Sequence, residues 1–579
     1  MLVLGLWGLD RGGMWGDESV TFLVGRRTVP QIWHLLHGVD AVHGLYYLLM
    51  HAVLAVHPGE VALRLPSVCG AAATAGLVAA LGVRLARPRV GLWAGLLYAI
   101  TPLTGHYAQE GRSYALVAAG VAGATLLLVR ALEGRSWWPY GAVLAVTFLL
   151  HEFAVLVLCA HALTLAAARV RRAVWLGWGC AVGAAVGALL PLAWVSQRQS
   201  AQVAWLRVPD WDTTEGLARD FLAVTPTGVV FWTSVLLILL GLGSGRLTSV
   251  ALPLLLVPPV LLLTVSQFRP LFHERYVLYA LAGAPLLAAA GADRVVGAVR
   301  WLWLEGRGVS DGRRAEADLV VAGTRSRREL VGAVSGSSRT AGADRTTGAG
   351  ASSQLPLSGV DCPNPPRPGD HHRLPADRRA FRRTPLADRT PIATLATRAN
   401  LITLAGVLAA TVPFLHGLPA YRSDRDAARR PENLAAVSAL AGRELRPGDP
   451  VLFLPSFWRV TASAYPGPFV GARDLALGES GARSGTLSGR EVGPGELRAR
   501  LAGVDRVWIV AQSNLLPSRW VPGDPTDRVK LDVVDGEFAR RQQYVRGRVK
   551  LALYIRRMPP QSMRLAPTPR PVSPSPTPP

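Results

Sequence analysis

The feature that most constrains this chain is a recurrence of apolar runs, each roughly 15–22 residues long, separated by short arginine-bearing turns. A run of that length crosses the hydrocarbon layer as a helix, because a helix satisfies its own backbone hydrogen bonds where no water is present. Spans are predicted near 1–9 (incomplete), 62–83, 90–106, 114–130, 139–151, 153–168, 174–194, 226–243, 250–265, 275–291 and 397–416. The expected fold is mainly α, a polytopic transmembrane helical bundle of about 10–11 spans. Composition points the same way: 17% of the residues are charged, against about 25% in soluble proteins.

The formal net charge of +23 first suggests nucleic acid. The arginines, however, fall in short turns between apolar runs and in one long insert, which argues against a nucleic-acid partner and for the lipid bilayer. "RLARPR" (84–89), "RALEGR" (130–135), "ARVRR" (168–172), "GSGR" (243–246) and the insert after Arg294 share one side, which the positive-inside rule makes cytoplasmic. The other side receives "GDES", "DAVH", "YAQEGRSY", the His151–Glu152 pair, residues 195–224 and "QFRPLFHERY", and with them nearly all the acids and histidines of the loops. The stretch 43–57, "HGLYYLLMHAVLAVH", is short and bounded by His; it reads as a helix in the outer interface, since counting it as a span would invert every later loop. The nine-residue opening "MLVLGLWGL" is too short to span, which favours a first helix truncated by a late start over a partial insertion.

The domain boundaries follow from these shifts. Residues 1–291 form the transmembrane module, and 292–396, rich in Arg, Gly, Ser and Pro, is expected to be a disordered basic cytoplasmic loop. Residues 397–416 are the last span. Residues 417–560 are expected to be a small extracytoplasmic α/β domain, with "PENLAAVSALAGREL" helical and "DPVLFLP" and "DRVWIVAQ" as buried strands. A Pro-rich tail, 561–579, ends the chain. Cys69, Cys159 and Cys180 lie in apolar runs and Cys362 in the insert, with no CxxC or Cys/His spacing, so neither a disulfide framework nor a zinc site is expected.

Ionisable residues at span ends are costly unless they do something. Asp17 and Glu18 in "MWGDESVTF" have a plain reading as a helix cap. They do not stand alone. Asp40 and His43 follow, Arg64 sits at the outer end of the next span, and "HYAQEGRSYAL" supplies His106, Tyr107, Gln109, Glu110 and Arg112. "FRPLFHERY" adds Arg269, His273, Glu274, Arg275 and Tyr276. Clusters of this kind on one face describe a polar cavity at the membrane surface, with carboxylates to move protons and arginines to hold an anion.

The ordered set "WGDE", "DAVHGLYYLLMH", "LRLPS", "YAQEGRSYAL" and "FHERY" resembles the GT-C superfamily of integral-membrane glycosyltransferases. The nearest likeness is to family-39 protein mannosyltransferase-like and aminoarabinose transferase-like enzymes of actinobacterial type, over roughly residues 1–291. Where that family's second motif commonly carries proline before Leu-Tyr, this chain has "VHGLYY". The resemblance implies a polyprenyl-phosphate sugar donor, plausibly of mannose or another hexose, and an extracytoplasmic envelope glycan, lipid or protein as acceptor. It implies Asp17 as general base, with Glu18 orienting the acceptor or the base, and inversion at the anomeric carbon. Arg64, Arg112 and Arg275 are the candidates to hold the donor phosphate, snorkelling interface arginines being the other reading. Asp40, His43, Tyr107, Gln109, Glu110, His273, Glu274 and Tyr276 are expected to line the acceptor cavity. No metal site is expected, although Asp40 and His43 leave a divalent cation possible as a cofactor. A transporter or lipid flippase, and a catalytically inactive membrane scaffold, are the rival classes; the first predicts ionisable groups at span centres and broken, repeated helices.

Overall fold

The computed structural model describes residues 1–222, 228–303, 392–426, 432–515 and 521–557, without the side chains of 392–400. Two units separate. The first comprises Met1–Val296 and Ile402–Pro579; the second, Gly297–Leu401, is described only at 297–303 and 392–401, both helical.

Six described helices are long and apolar enough to cross a membrane: Glu60–Leu85, Tyr114–Leu132, Arg172–Arg198, Arg246–Ser266, Glu274–Trp303 and Leu401–Asp424. Ala41–Val56, Trp138–Leu150, Glu152–Ala167 and Gly228–Gly241 are shorter apolar helices. Glu60–Leu85 is central, packing on Pro88–Ala99 and on Tyr114–Leu132. The first of these contacts is made by glycines: a Cβ on Gly91 would lie 2.4 Å from the Ala79 carbonyl oxygen, so the two backbones touch.

Several expected spans differ from the structure. The 90–106 run is two helices, Pro88–Ala99 and Pro102–Ala108. Pro102 has no N–H to continue the ladder and pushes Thr101 into the extended region (φ −74°, ψ 122°). The Tyr421 hydroxyl donates to the Thr101 carbonyl at this break, at 3.1 Å, beside the Thr104 and Gly105 N–H groups that open the second helix. The 153–168 run begins as a 3₁₀ turn, Glu152–Leu156, before Val157–Ala167, and the 275–291 run begins as a 3₁₀ stretch, Glu274–Ala282. The latter helix then continues to Trp303, beyond the boundary at 291, and the last membrane helix runs Ile392–Asp424 rather than 397–416. The opening residues carry one short helix, Leu2–Leu6. The bulk of the 292–396 insert and the 561–579 tail lie outside the described residues.

The C-terminal part carries a five-stranded sheet. Its strands are β1 (Pro450–Leu454), β2 (Arg473–Asp474), β5 (Arg506–Gln512), β6 (Phe538–Arg546) and β7 (Val549–Arg556), in the order β2-β1-β5-β7-β6; β3 (Leu477–Glu479) and β4 (Arg490–Glu491) form a separate hairpin. β1 runs parallel to β2 and β5, whereas β7 is antiparallel to β5 and β6. Every residue of β1 is buried because both faces of the sheet are covered. Leu452, Leu454 and Ile509 point into one core with Leu497 and Val533. Their neighbours Val451, Phe453 and Val510 join a second core with Val437 and with Val20, Val24 and Ile32. This second core fastens the sheet domain onto the helix that carries the acidic pair and onto the next one, Val29–Gly38.

Candidate active site

Trp15 enters the Gly16–Gly25 helix in extended conformation, and Asp17 and Glu18 occupy its first turn. Successive helical residues point about 100° apart, so the two carboxylates have different neighbours. Glu18 is fully buried and receives both Arg64 Nε and Nη2 at 2.8 Å, with the Gly111 N–H donating to the same carboxylate at 2.9 Å. Arg64, also fully buried, spends its remaining donors on the carbonyls of Leu9, Gly12 and Gly13. Asp17 turns elsewhere. Its Oδ2 accepts from Arg275 Nη1 at 3.1 Å, and its side chain is partly exposed in a cavity of about 510 Å³.

That cavity also meets Asp40, His43, Arg112, His151, Glu152 and Tyr276. Arg112 donates to Thr21 Oγ1 (3.2 Å) and to His43 Nε2 (2.7 Å). Because a guanidinium only donates, His43 Nε2 is the lone-pair nitrogen and the ring carries its proton on Nδ1. His43 Nδ1, Arg112 Nε and Arg275 Nε are all buried without a hydrogen-bond partner. His151 is held down to about 3 by burial and then by the Arg275 and Arg112 charges, so it is neutral at pH 7. Burial and the Arg275 charge likewise lower His273, to about 4. Arg275 sits between the rings of Trp15, Tyr114 and Tyr276, each 5.6–5.8 Å from its guanidinium carbon.

A second cavity, of about 420 Å³, is lined by Trp15, Tyr107, Gln109, Glu110, His273 and Glu274, together with His106, Ser423, Asp424, Glu432 and Arg548. Arg275 lines both cavities. Tyr107 donates to Glu274 at 3.1 Å, whereas Gln109 is spent on the carbonyls of Gly5 and Trp7. A third, largely apolar cavity of about 520 Å³ lies beside the first, between Trp33, Leu45, Leu48, Pro191 and Trp194, and shares Gln199 with it.

The sequence clusters thus converge, but they divide. Asp17, Asp40, His43, Arg112, Arg269, Arg275 and Tyr276 surround one cavity, and Tyr107, Gln109, Glu110, His273 and Glu274 the other. Arg64 and Glu18 face neither; they hold each other and the loop before the helix. Asp40 accepts from the Tyr47 hydroxyl at 2.6 Å, His43 is bonded to Arg112, and among the described residues no three His, Cys, Asp or Glu converge as a metal site. The sequence reading missed the sheet domain's share: Glu432 and Arg548 line the second cavity, and Phe457 and Leu487 the first. Glu432 Oε2 accepts from the Gly16 N–H at 2.9 Å, and the Tyr465 hydroxyl accepts from the Met14 N–H at 2.7 Å, so this domain also pins the acidic loop. No local motif marks these residues.

Residues 43–196 match the dolichyl-phosphate-mannose-protein mannosyltransferase family, a segment that includes Glu110 and Arg112 and stops short of Asp17 and Arg275. Among solved structures, ArnT from Cupriavidus metallidurans in the apo state is similar to this one: 12% identity, 96% of each chain covered, TM-score 0.53. The chain therefore has the fold of ArnT. ArnT from the same organism bound to undecaprenyl phosphate matches at 13% identity over 95% of this chain and 96% of the other, with TM-score 0.50. No curated protein matches the chain in sequence. The fold and the six long apolar helices together make it a multi-pass membrane protein.

Proposed function

We propose that this chain transfers a sugar, mannose or another hexose, from a polyprenyl-phosphate donor to a hydroxyl acceptor on the extracytoplasmic side. The observation that carries this reading is the cavity at Asp17, where Arg112 Nε, Arg275 Nε and His43 Nδ1 are buried donors without acceptors. Buried N–H groups are rarely left unpaired, and three at one cavity match the oxygens of a phosphate. The neighbouring apolar cavity would take the first part of the polyprenyl chain. Relative to the sequence expectation, Arg112 and Arg275 keep the phosphate role and Arg64 becomes scaffold.

Asp17 takes the proton of the acceptor hydroxyl, that oxygen bonds to the anomeric carbon, and the carbon–phosphate-oxygen bond breaks on the opposite face. The electron pair leaves with the phosphate, whose growing charge Arg112 and Arg275 stabilise. The anomeric configuration inverts. The Arg275 contact aims the Asp17 carboxylate, since it fixes one of its two oxygens. The experiment is transfer of radiolabelled sugar from polyprenyl-phosphate mannose, and from a panel of other hexose donors, by the full chain in membranes. Asp17→Asn is expected to lower the rate about 100-fold or more, the usual weight of a general base. Equal transfer by both proteins, or retention of configuration in the product, would remove Asp17 from the chemistry.

A further inference from the structure

The cavity at Glu110 has a charge preference of its own. Resting on the transferase reading above, we propose that it is the acceptor site and that it takes a hydroxyl compound with a neutral or amine-bearing head group while excluding a phosphorylated one. Four carboxylates line it, those of Glu110, Glu274, Asp424 and Glu432. The cations that face them are already committed or open to water. Arg275 is bonded to Asp17 and faces the first cavity as well. His106 Nδ1 lies 3.4 Å from Asp424, and Arg548 is exposed on the turn between β6 and β7. A phosphate brought here would add negative charge beside four carboxylates at the low effective dielectric of a half-closed site.

The second observation is Glu110 itself. Its side chain is 95% buried, being 5% exposed, and its Oε2 has no hydrogen-bond partner. An unsatisfied buried acceptor in a cavity wall calls for a donor from whatever fills the cavity, and a hydroxyl or ammonium group supplies one where a phosphate oxygen does not. Burial, and after it the nearby charges of Glu18 and Asp17 opposed by His106 and Arg275, pushes this carboxyl up to about 7, so it accepts from an ammonium best at neutral and higher pH. The location suits an acceptor. Trp15 lines this cavity and Asp17, two residues on, lines the other, with Arg275 common to both, so a hydroxyl bound here lies next to the base.

The test uses the full-length protein in lipid nanodiscs with three soluble probes: octyl mannoside, octyl glucosaminide and octyl mannoside 6-phosphate. Polyprenyl-phosphate binding is measured in parallel. The neutral and amine probes are expected to bind at least tenfold more tightly than the phosphorylated one. Glu110→Gln is expected to weaken the amine probe about tenfold while leaving polyprenyl-phosphate binding unchanged, which also certifies that the variant folds; should it not fold, Glu274→Gln reads the same preference. Phosphorylated probe binding as tightly as the others, no binding by any probe, or indifference of the amine probe to these substitutions overturns the inference. Failure of wild type to bind polyprenyl phosphate would instead remove the transferase reading, and the probes would still report the charge preference of the cavity.

Discussion

Two adjacent carboxylates, Asp17 and Glu18, separate by about a quarter turn of helix, and that turn divides catalysis from scaffold in our reading. Glu18→Gln would leave the fully buried Arg64 guanidinium with only the more distant Glu60 carboxylate, at 3.7 Å, and breaking a buried pair from one side costs about 3–5 kcal/mol. It is expected to lower the thermal unfolding temperature of the purified protein sharply. Asp17→Asn, at a pair whose acid is partly exposed, is expected to cost only about 1 kcal/mol while removing transfer. Similar destabilisation by both would undo the division. Glu110 makes a further residue-scale prediction. Its folded-state value, raised from 4.5 to about 7, means that between those pH values the folded protein holds a proton the unfolded chain has lost. That contribution to stability is therefore fully present below about pH 4.5 and is lost as pH rises through about 7. Thermal unfolding across pH 4.5–7.5 is expected to show a smaller decline in Glu110→Gln than in wild type.

Among the helices, backbone proximity decides more than hydrophobicity does. The long described helices are apolar toward lipid and toward their neighbours, so their association depends on small residues and on a few polar ties. Gly91 meets the Ala79 carbonyl oxygen and Gly82 meets the Gly91 Cα, which brings Pro88–Ala99 flat against Glu60–Leu85. Gly91→Val is expected to cost about 1–3 kcal/mol, the usual range for overpacking, read as a lower unfolding temperature in detergent. An unchanged temperature would show that these helices separate without loss. A polar tie acts further along: His161 joins Thr125 Oγ1 and the Tyr140 hydroxyl, each at 3.0 Å, and Trp178 donates to Tyr140 at 2.9 Å. Four consecutive apolar runs are thereby linked through one buried histidine.

Over the whole chain, the sheet domain completes what the helices begin. It supplies Glu432 and Tyr465 to the acidic loop, and Arg27 donates to the carbonyl of Thr486 beside Leu487, a wall of the Asp17 cavity. If that side is extracytoplasmic, the basic turns must lie on the opposite side. In a variant with Cys69, Cys159, Cys180 and Cys362 replaced by Ser, a cysteine at exposed Arg483 is expected to react with an impermeant maleimide on intact cells. A cysteine at Arg135, in the "RALEGR" turn, is expected to react only after lysis. The reverse pattern would invert the topology and place the cavities on the wrong side for the proposed donor.

The sequence alone determined the material of this protein. Apolar run length made it a multi-span helical membrane protein, because lipid offers backbone groups no partner but each other. Short continuous apolar runs in "PVLFL" and "RVWIVAQ" announced the two buried strands, and the acid and arginine clusters at the run ends named most of the charged residues now found around the two cavities. Those signals are local, and so they were legible. Only the tertiary structure decided that Glu18 and Arg64 consume each other, that one arginine stands between two cavities, and that residues more than 400 positions away hold the acidic loop. Partner choice among buried charges depends on which long-range neighbours desolvate them, and no spacing along the chain encodes that.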